Sequence, residues 1–403
     1  MNILTNTQIS LKYAVSKAAV TYWIKDAIVN KNNLKLHRND KEKIQIIDNP
    51  HNHAELTRLA EAGKKFRRHT THADIKPKPE FYEIFDEGEI VEMVRDLEVN
   101  NEINFKFTYK GPGAEGWDDL YNNGVESGTY LTPIKDEKML ENNFELILQR
   151  ISDSVKINII DLGPGNSKPL KNFLLKLSDL GRLNSYAAVD ISPEMIEISQ
   201  KNIQEWLPDL PYFSYICDFE TANFNRILEQ QKAKFEYETV NIIFDLGRTL
   251  SNQNNPSLVL NNIARGMREG NIFVSTNGLD SNRTRAEFGH LKMNTAVEKV
   301  IWIPRMLDLE IEKLEFFSRY DESEDCKSQY FVLDKDYTLT IRELGKDKVL
   351  NFYKGQEIVV WKHYMTSPNG LFEYYESCGL TLVGFNMSND HRDSLMICEL
   401  NDE

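Results

Sequence analysis

The chain has 403 residues, 41% hydrophobic, 10% aromatic and 27% charged, which excludes a disordered or fibrous polymer and leaves room for more than one compact body. Its net charge of −14 opposes binding a polyanion over a large surface, so nucleic acid is disfavoured as a partner. No stretch approaches the ~18 apolar residues of a membrane helix.

The N-terminus, MNILTNTQISLKYAVSK, lacks the charged-then-apolar pattern of an export signal. Cys217, Cys326, Cys378 and Cys398 have no CxxC spacing, so free thiols, a cytoplasmic location and no membrane are expected. Residues 1–100 hold 16 Lys+Arg against 15 Asp+Glu, which places the excess acidity beyond residue 100.

Apolar positions in LKYAVSKAAVTYWIKDAIV and EGEIVEMVRDLEV recur at helical spacing, and residues 1–103 read as a mainly helical N-terminal extension. KKFRRHTTH and IKPKPEF are linker-like. KKFRR and the pairs His51/His53 and His69/His72 read as solvated surface; no cluster completes a metal site, and no metal is expected. Aromatics and glycines then crowd together in FKFTYKGPGAEGWDDLYNNGVESGTYLTP. That stretch reads as poor in regular structure and suited to lining a ligand cavity.

From about 136 to 280 strands and helices alternate. Strand KINIIDLG precedes helix SKPLKNFLLKLSDL; strand SYAAVDIS precedes helix PEMIEISQKNIQEWL; strand FSYICDF precedes helix FNRILEQQKA. Strand TVNIIFDLG, helix NPSLVLNNIARGM and strand NIFVSTNG follow. The chain ends with helix SPNGLFEYYESCG and strands LTLVGFNMS and SLMICEL, which can close the same sheet. The pattern predicts an α/β fold with a parallel, Rossmann-like sheet covered on both faces. Residues 281–363 interrupt it and read as an inserted or appended domain.

Three strand ends carry the chemistry. Strand INIID delivers Asp161 into a turn with Gly163 and Gly165, whose glycines let the backbone approach a ligand, and a helix N-terminus follows. The third glycine of the dinucleotide fingerprint is absent, which ranks an NAD oxidoreductase last. An acidic residue before a short GxG is the form that binds S-adenosylmethionine. Asp190 ends the next strand, where a carboxylate accepts ribose hydroxyls; Ser192 and Pro193 then start a helix. Asp218 and Phe219 end the third, where a polar group meets adenine's amine and a ring covers its face.

Beyond these, IIFDLGRTLSN resembles the FLGSTIGN segment of the histidine-specific N-methyltransferase family, which trimethylates histidine on the way to ergothioneine. FTYKGPGAEGWDDLY resembles its WFYD-x-x-GS-x-LF, TYLTPIKDEKML its EYYPTR-TE-x-x-IL, and YKGQEIVVWKHYM stands where it has AGE-x-x-x-TE-x-S-x-K. The resemblance covers about residues 104–403. It implies a class I S-adenosylmethionine-dependent methyltransferase core over 140–280 and 364–403, and an α+β substrate-binding domain from 104–139 and 281–363. It implies cofactor contacts at Gly163, Gly165, Ser167, Lys168, Asp190, Asp218 and Phe219. Asn252 matches the asparagine that holds the amino-acid backbone; Tyr109 and Tyr130 match two pocket tyrosines.

The departures bear on specificity. Trp361 and His363 stand where the family has the glutamate and serine that read imidazole, Leu131 replaces a tyrosine, Pro169 replaces the lysine of the turn, and Phe288/Gly289 fall near a later pocket tyrosine. Removing a carboxylate partner for an imidazole N–H costs about 1–3 kcal/mol, so the expected acceptor is an amino acid or derived amine other than histidine. Asn252, Tyr109 and Tyr130 would position the amine, with His363 a candidate base or substrate contact beside Trp361. Two other readings stand: a peptide or protein methyltransferase docked by the N-terminal region, and a cofactor-binding protein that has lost catalysis.

Overall fold

The computed structural model describes residues 3–13, 15, 17–28, 31–38, 44–67, 72–232, 238–279, 291–293, 298–321, 326–365 and 367–401. Two compact units divide it: Met1–Glu102 with Arg305–Glu315 and Tyr330–Ile358, and Ile103–Pro304 with Phe316–Gln329 and Val359–Glu403.

The second unit is built on a seven-stranded sheet: β1 (Lys156–Leu162), β2 (Leu183–Asp190), β3 (Tyr212–Ile216), β4 (Thr239–Asp245), β5 (Ile272–Gly278), β6 (Leu380–Met387) and β7 (Asp393–Leu400). Its order is β6-β7-β5-β4-β1-β2-β3. Pairings β5-β4-β1-β2-β3 are parallel, and β7 and β6 run antiparallel at one edge. Central strand β1 is buried from Ile157 onward, as its continuous apolar run requires when both sheet faces are covered.

The covering helices are α2 (Thr132–Leu148), α3 (Lys171–Asp179) and α4 (Pro193–Trp206) on one face, and α5 (Phe224–Lys232), α6 (Pro256–Gly266) and α7 (Pro368–Ser377) on the other; α1 (Pro112–Glu126) precedes them. Phe144, Ile147, Phe173 and Leu174 pack with Ile159 and Phe244 on the first side. Phe224, Leu260, Ile263 and Tyr375 pack with Ile160 and Ile243 on the second. The strand order reverses between β1 and β4, so the crevice outside their carboxyl ends is where such a sheet takes a ligand.

The first unit holds two sub-bodies. Residues 3–67 enclose their own core of Ile9, Val20, Trp23, Ile46 and Leu56. Strands His72–Ile75, Asp336–Glu343 and Lys346–Phe352 form a sheet in which the first pairs parallel with the second. That pairing draws 330–358 to the N-terminal hundred residues, while 104–139 belong with the methyl-transfer sheet. The division therefore cuts the chain elsewhere than at 104, 139, 281 and 363. Among the described residues of 1–103 there are also four short strands beside the helices, each of 2–4 residues and too short for a period-two pattern to register.

The glycine-rich stretch after 104 is also more regular than its composition predicts. A 3-10 turn, Phe105–Tyr109, leads through Gly111 into the 15-residue helix α1. Two of its glycines, Gly113 and Gly124, serve close packing. A Cβ at Gly113 would lie 1.8 Å from the Thr108 carbonyl oxygen, and one at Gly124 would lie 2.6 Å from Tyr130 Cβ.

Candidate functional site

A cavity of about 1080 Å³, mouth included, opens at the carboxyl ends of β1, β2 and β4. At one side lies the turn after β1. Gly163 and Gly165 have φ of 64° and 52°, and a Cβ on Gly163 would meet Thr249 Cγ2 at 2.8 Å. The position thus requires glycine for conformation and for space. Asn166 fixes the turn: its side chain donates to Asp118 Oδ1 (2.8 Å), and its carbonyl accepts from Asn202 (2.9 Å).

Asp161, Gly163, Gly165, Ser167, Asp190, Asp218, Phe219, Tyr109, Tyr130 and Asn252 all line this one cavity. Several look partly inward. The Ser167 hydroxyl is bonded to Tyr186 (2.9 Å) and Ser199 (2.7 Å), and the Tyr186 hydroxyl donates to Asp161. Asp161 and Ser167 therefore brace the turn from beneath. Asp190 accepts from the Ser192 N–H at 2.9 Å, and Ser192 caps α4 through the Met195 N–H. Burial raises both Asp161 and Asp190 to about 7.

Asp218 has a partner not foreseen from its motif: Lys106 donates to its Oδ2 at 2.5 Å, while Oδ1 accepts from the Glu220 N–H. Lys168 departs from expectation. Its ammonium turns away to Asn122 Oδ1 at 2.5 Å and is not among the cavity-lining groups. One residue further on, the cyclic side chain of Pro169 lines the wall instead.

Trp361 and His363 also depart. Neither lines the cavity. His363 is buried, stacks on Trp361 with centroids 5.6 Å apart at 10°, and places Nδ1 2.9 Å from Asn252 Oδ1. Burial, then the charges of Arg248 and Lys327, hold its pKa well below the ordinary imidazole value. A neutral ring must therefore donate through Nδ1, leaving Nε2 as an acceptor without a partner. A Cβ on Gly278 would lie 2.6 Å from that Nε2. The imidazole lies buried behind the asparagine and outside the cavity lining, not at the cavity surface where a base or substrate contact was expected. Leu131 is half exposed and lies outside the cavity lining. Phe288 and Gly289 lie outside the described residues.

Several cavity groups went unannounced by the sequence reading. Trp117 and Tyr121, four apart on α1, join Tyr109 and Tyr130 in an aromatic wall, with Trp117 6.2 Å from Tyr109 and 5.8 Å from Tyr130. Burial pushes all three tyrosine hydroxyls far above their ordinary pKa. Lys299, outside the cavity lining, sits 4.8 Å over the Trp117 ring, its pKa drawn down to about 8 by burial. Asp136 on α2 is fully buried at the cavity wall. Its Oδ2 accepts from the Gly247 N–H (2.9 Å) and Thr276 (3.3 Å), while Oδ1 has no partner. Burial raises it to about 7. Helical i, i+4 spacing in GWDDLY was the available signal for the aromatic pair; nothing in IKDEK separates Asp136 from its charged neighbours.

Among the described residues no His/Cys/Asp/Glu group could hold a metal ion, and no helix is long and apolar enough to cross a membrane. The sheet order, with its antiparallel edge pair, and a glycine turn and carboxylate at successive strand ends define a class I S-adenosylmethionine-dependent methyltransferase. Residues 89–400 match the histidine-specific, SAM-dependent methyltransferase family, and the chain belongs to it.

Among solved structures it is similar to a S-adenosylmethionine-dependent methyltransferase from Clostridium acetobutylicum ATCC 824 (11% identity, 72% of this chain and 99% of that one, TM-score 0.42). It is also similar to the CcbJ methyltransferase of Streptomyces caelestis (14%, 67% and 96%, TM-score 0.40). The third is magnesium protoporphyrin IX methyltransferase of Synechocystis PCC 6803 with bound SAH (9%, 73% and 96%, TM-score 0.40). No curated protein matches the chain.

Proposed function

We propose that this methyltransferase acts on the amine nitrogen of an amino acid or an amino-acid-derived small molecule other than histidine. The observation that carries the reading is the continuity of one cavity from the glycine turn and Asp190 to the wall of Tyr109, Trp117, Tyr121 and Tyr130, with Asn252 also in its lining. S-Adenosylmethionine supplies a methyl group on a sulfonium. Gly163 and Gly165 admit its amino-acid end, Asp190 accepts its ribose hydroxyls, and Phe219 covers its base. The fit is physical: the turn is shaped by glycine at a position with no room for a Cβ.

Methyl transfer needs an amine lone pair in line with the sulfur–methyl bond at about 3 Å. Asn252, held by His363, and the Tyr109 and Tyr130 hydroxyls orient the acceptor. Faces of Trp117 and the tyrosines favour the methylated cation that forms. The proton lost from nitrogen goes to the unpartnered Oδ1 of Asp136, whose pKa near 7 suits it to act as base. The tyrosines, pushed up by burial, serve as hydrogen-bond donors.

The acceptor side chain follows from what strand Glu357–Tyr364 lacks. Trp361 and His363 give no carboxylate toward an imidazole, and neither lines the cavity. Labelled S-adenosylmethionine incubated with a panel of free amino acids, amines and peptides tests the reading. Transfer to the amine nitrogen of a non-histidine amino acid is expected. Preference for histidine, transfer to oxygen or carbon, or transfer to peptides alone would overturn it.

A further inference from the structure

Residues 3–67 form a body that the methyl-transfer chemistry does not use. Strand Ile3–Leu4 leads into helix Asn6–Tyr13, and helix Lys17–Ile28 follows it in the chain. The hairpin strands Leu36–Arg38 and Ile44–Ile47 and helix Pro50–Arg67 follow. The first strand pairs antiparallel with the third, which pairs antiparallel with the second. Two helices close together in the chain, followed by two antiparallel strands, have the element order and strand pairing of a helix-turn-helix with a wing.

The second helix is two-faced. Val20, Trp23 and Ala27 are buried in the body's core at helical spacing, and Thr21, Tyr22, Lys25 and Ile28 face solvent. Tyr22 is 61% and Ile28 51% exposed. The hairpin is held rigidly to the last helix. Buried Asn52 accepts from the Lys35 N–H (2.7 Å) and donates to the Lys35 and Ile47 carbonyls (2.7 and 2.8 Å), while Glu55 accepts from the Asn33 N–H. Arg38 and Lys35 stand exposed on the hairpin strand and its approach.

Charge singles out the same region. Residues 1–39 contain Lys12, Lys17, Lys25, Lys31, Lys35 and Arg38 against the single carboxylate Asp26. The whole chain has 48 Lys+Arg and 62 Asp+Glu, so residues 40–403 carry a net −19. A local sequence excess of five cations in so acidic a protein favours a polyanionic partner for this body. The repulsion expected from the whole-chain charge does not govern it, because screening confines electrostatics to about 10 Å.

We propose that residues 3–67 bind duplex DNA, with helix Lys17–Ile28 in the major groove and Lys35 and Arg38 on the flanking phosphates. Tyr22, Thr21 and Lys25 face base edges, and the remaining cations supply the sequence-independent attraction. Major-groove width suits one helix, and the fused helix pair gives it a rigid mount.

The test uses the full-length protein and a fluorescein-labelled mixed-sequence duplex, read by anisotropy across a salt series. Saturable binding at low salt is expected, with log K falling linearly in log salt. Lys25→Ala and Arg38→Ala should each weaken binding severalfold and lower the salt slope by about 1, while circular dichroism and limited proteolysis of the N-terminal body, matching the parent, show each variant folded. No binding at low salt would overturn the proposal, as would variants that bind like the parent. So would equal competition by polyglutamate, which points to an acidic protein partner, or a sedimentation shift lost in Tyr22→Ala, which points to a second copy of the chain.

Discussion

Asn252 Oδ1 and His363 Nδ1 lie 2.9 Å apart, and the histidine reaches no further toward the cavity. Its lowered pKa keeps the ring neutral at physiological pH, so its N–H must be the donor, and Asn252 is left with its amide N–H groups for the acceptor. His363→Leu should lower kcat about tenfold, the worth of one buried hydrogen bond of about 1.4 kcal/mol. His363→Asn, which keeps a donor near the Nδ1 position, should restore most of it. The pH profile separates this role from base catalysis: the acidic limb should survive in His363→Leu.

In the proposed mechanism the acidic limb is assigned instead to Asp136. Its carboxyl is raised to about 7 by burial, and only the ionised form accepts a proton, so kcat should rise with pH through about 7. In Asp136→Asn, kcat should fall by about 100-fold or more and the limb should vanish. A limb that persists in that variant would assign the proton to water.

Burial also ties stability to pH. Asp161 and Asp190 are raised to about 7 and Asp245 to about 8, above the roughly 3.9 of an unfolded Asp. Between about pH 4 and 8 the folded protein holds protons that the unfolded chain has released, so the protein without cofactor loses stability as pH rises through that window. Ribose hydroxyls donate to an ionised Asp190, so cofactor binding should release protons and tighten from about pH 6 to 8. Thermal denaturation with and without S-adenosylmethionine should show the larger cofactor-dependent gain at the higher pH; Asp190→Asn should flatten that difference.

Much of the core was legible because its signals are local. β1, β4 and β5 are short apolar runs ended by Asp161, Asp245 and Gly278, and Ser192-Pro193 and Asn255-Pro256 open helices by N-cap chemistry. Asp161, Asp190, Asp218 and Asn252 therefore converge as their strand ends imply. Glycine was the residue read least well. In α1 it marks close packing against Thr108 and Tyr130, yet in one dimension it reads as a loop signal. His363 and Lys168 were misplaced for a related reason: their motifs locate the backbone, while Asn252 and Asn122 decide where the side chains point. Trp117 and Asp136 depend on contacts between segments far apart in sequence. The parallel pairing of His72–Ile75 with Asp336–Glu343 spans a separation over which no local pattern acts.

Asn252→Ala, assayed together for cofactor affinity by calorimetry and for methyl transfer by labelled product, tests most directly whether one cavity joins a donor end to a separate acceptor end. Turnover should fall by about 100-fold with S-adenosylmethionine affinity within about twofold of the parent. Loss of cofactor affinity in step with turnover would contradict it, because Asn252 would then belong to the donor end.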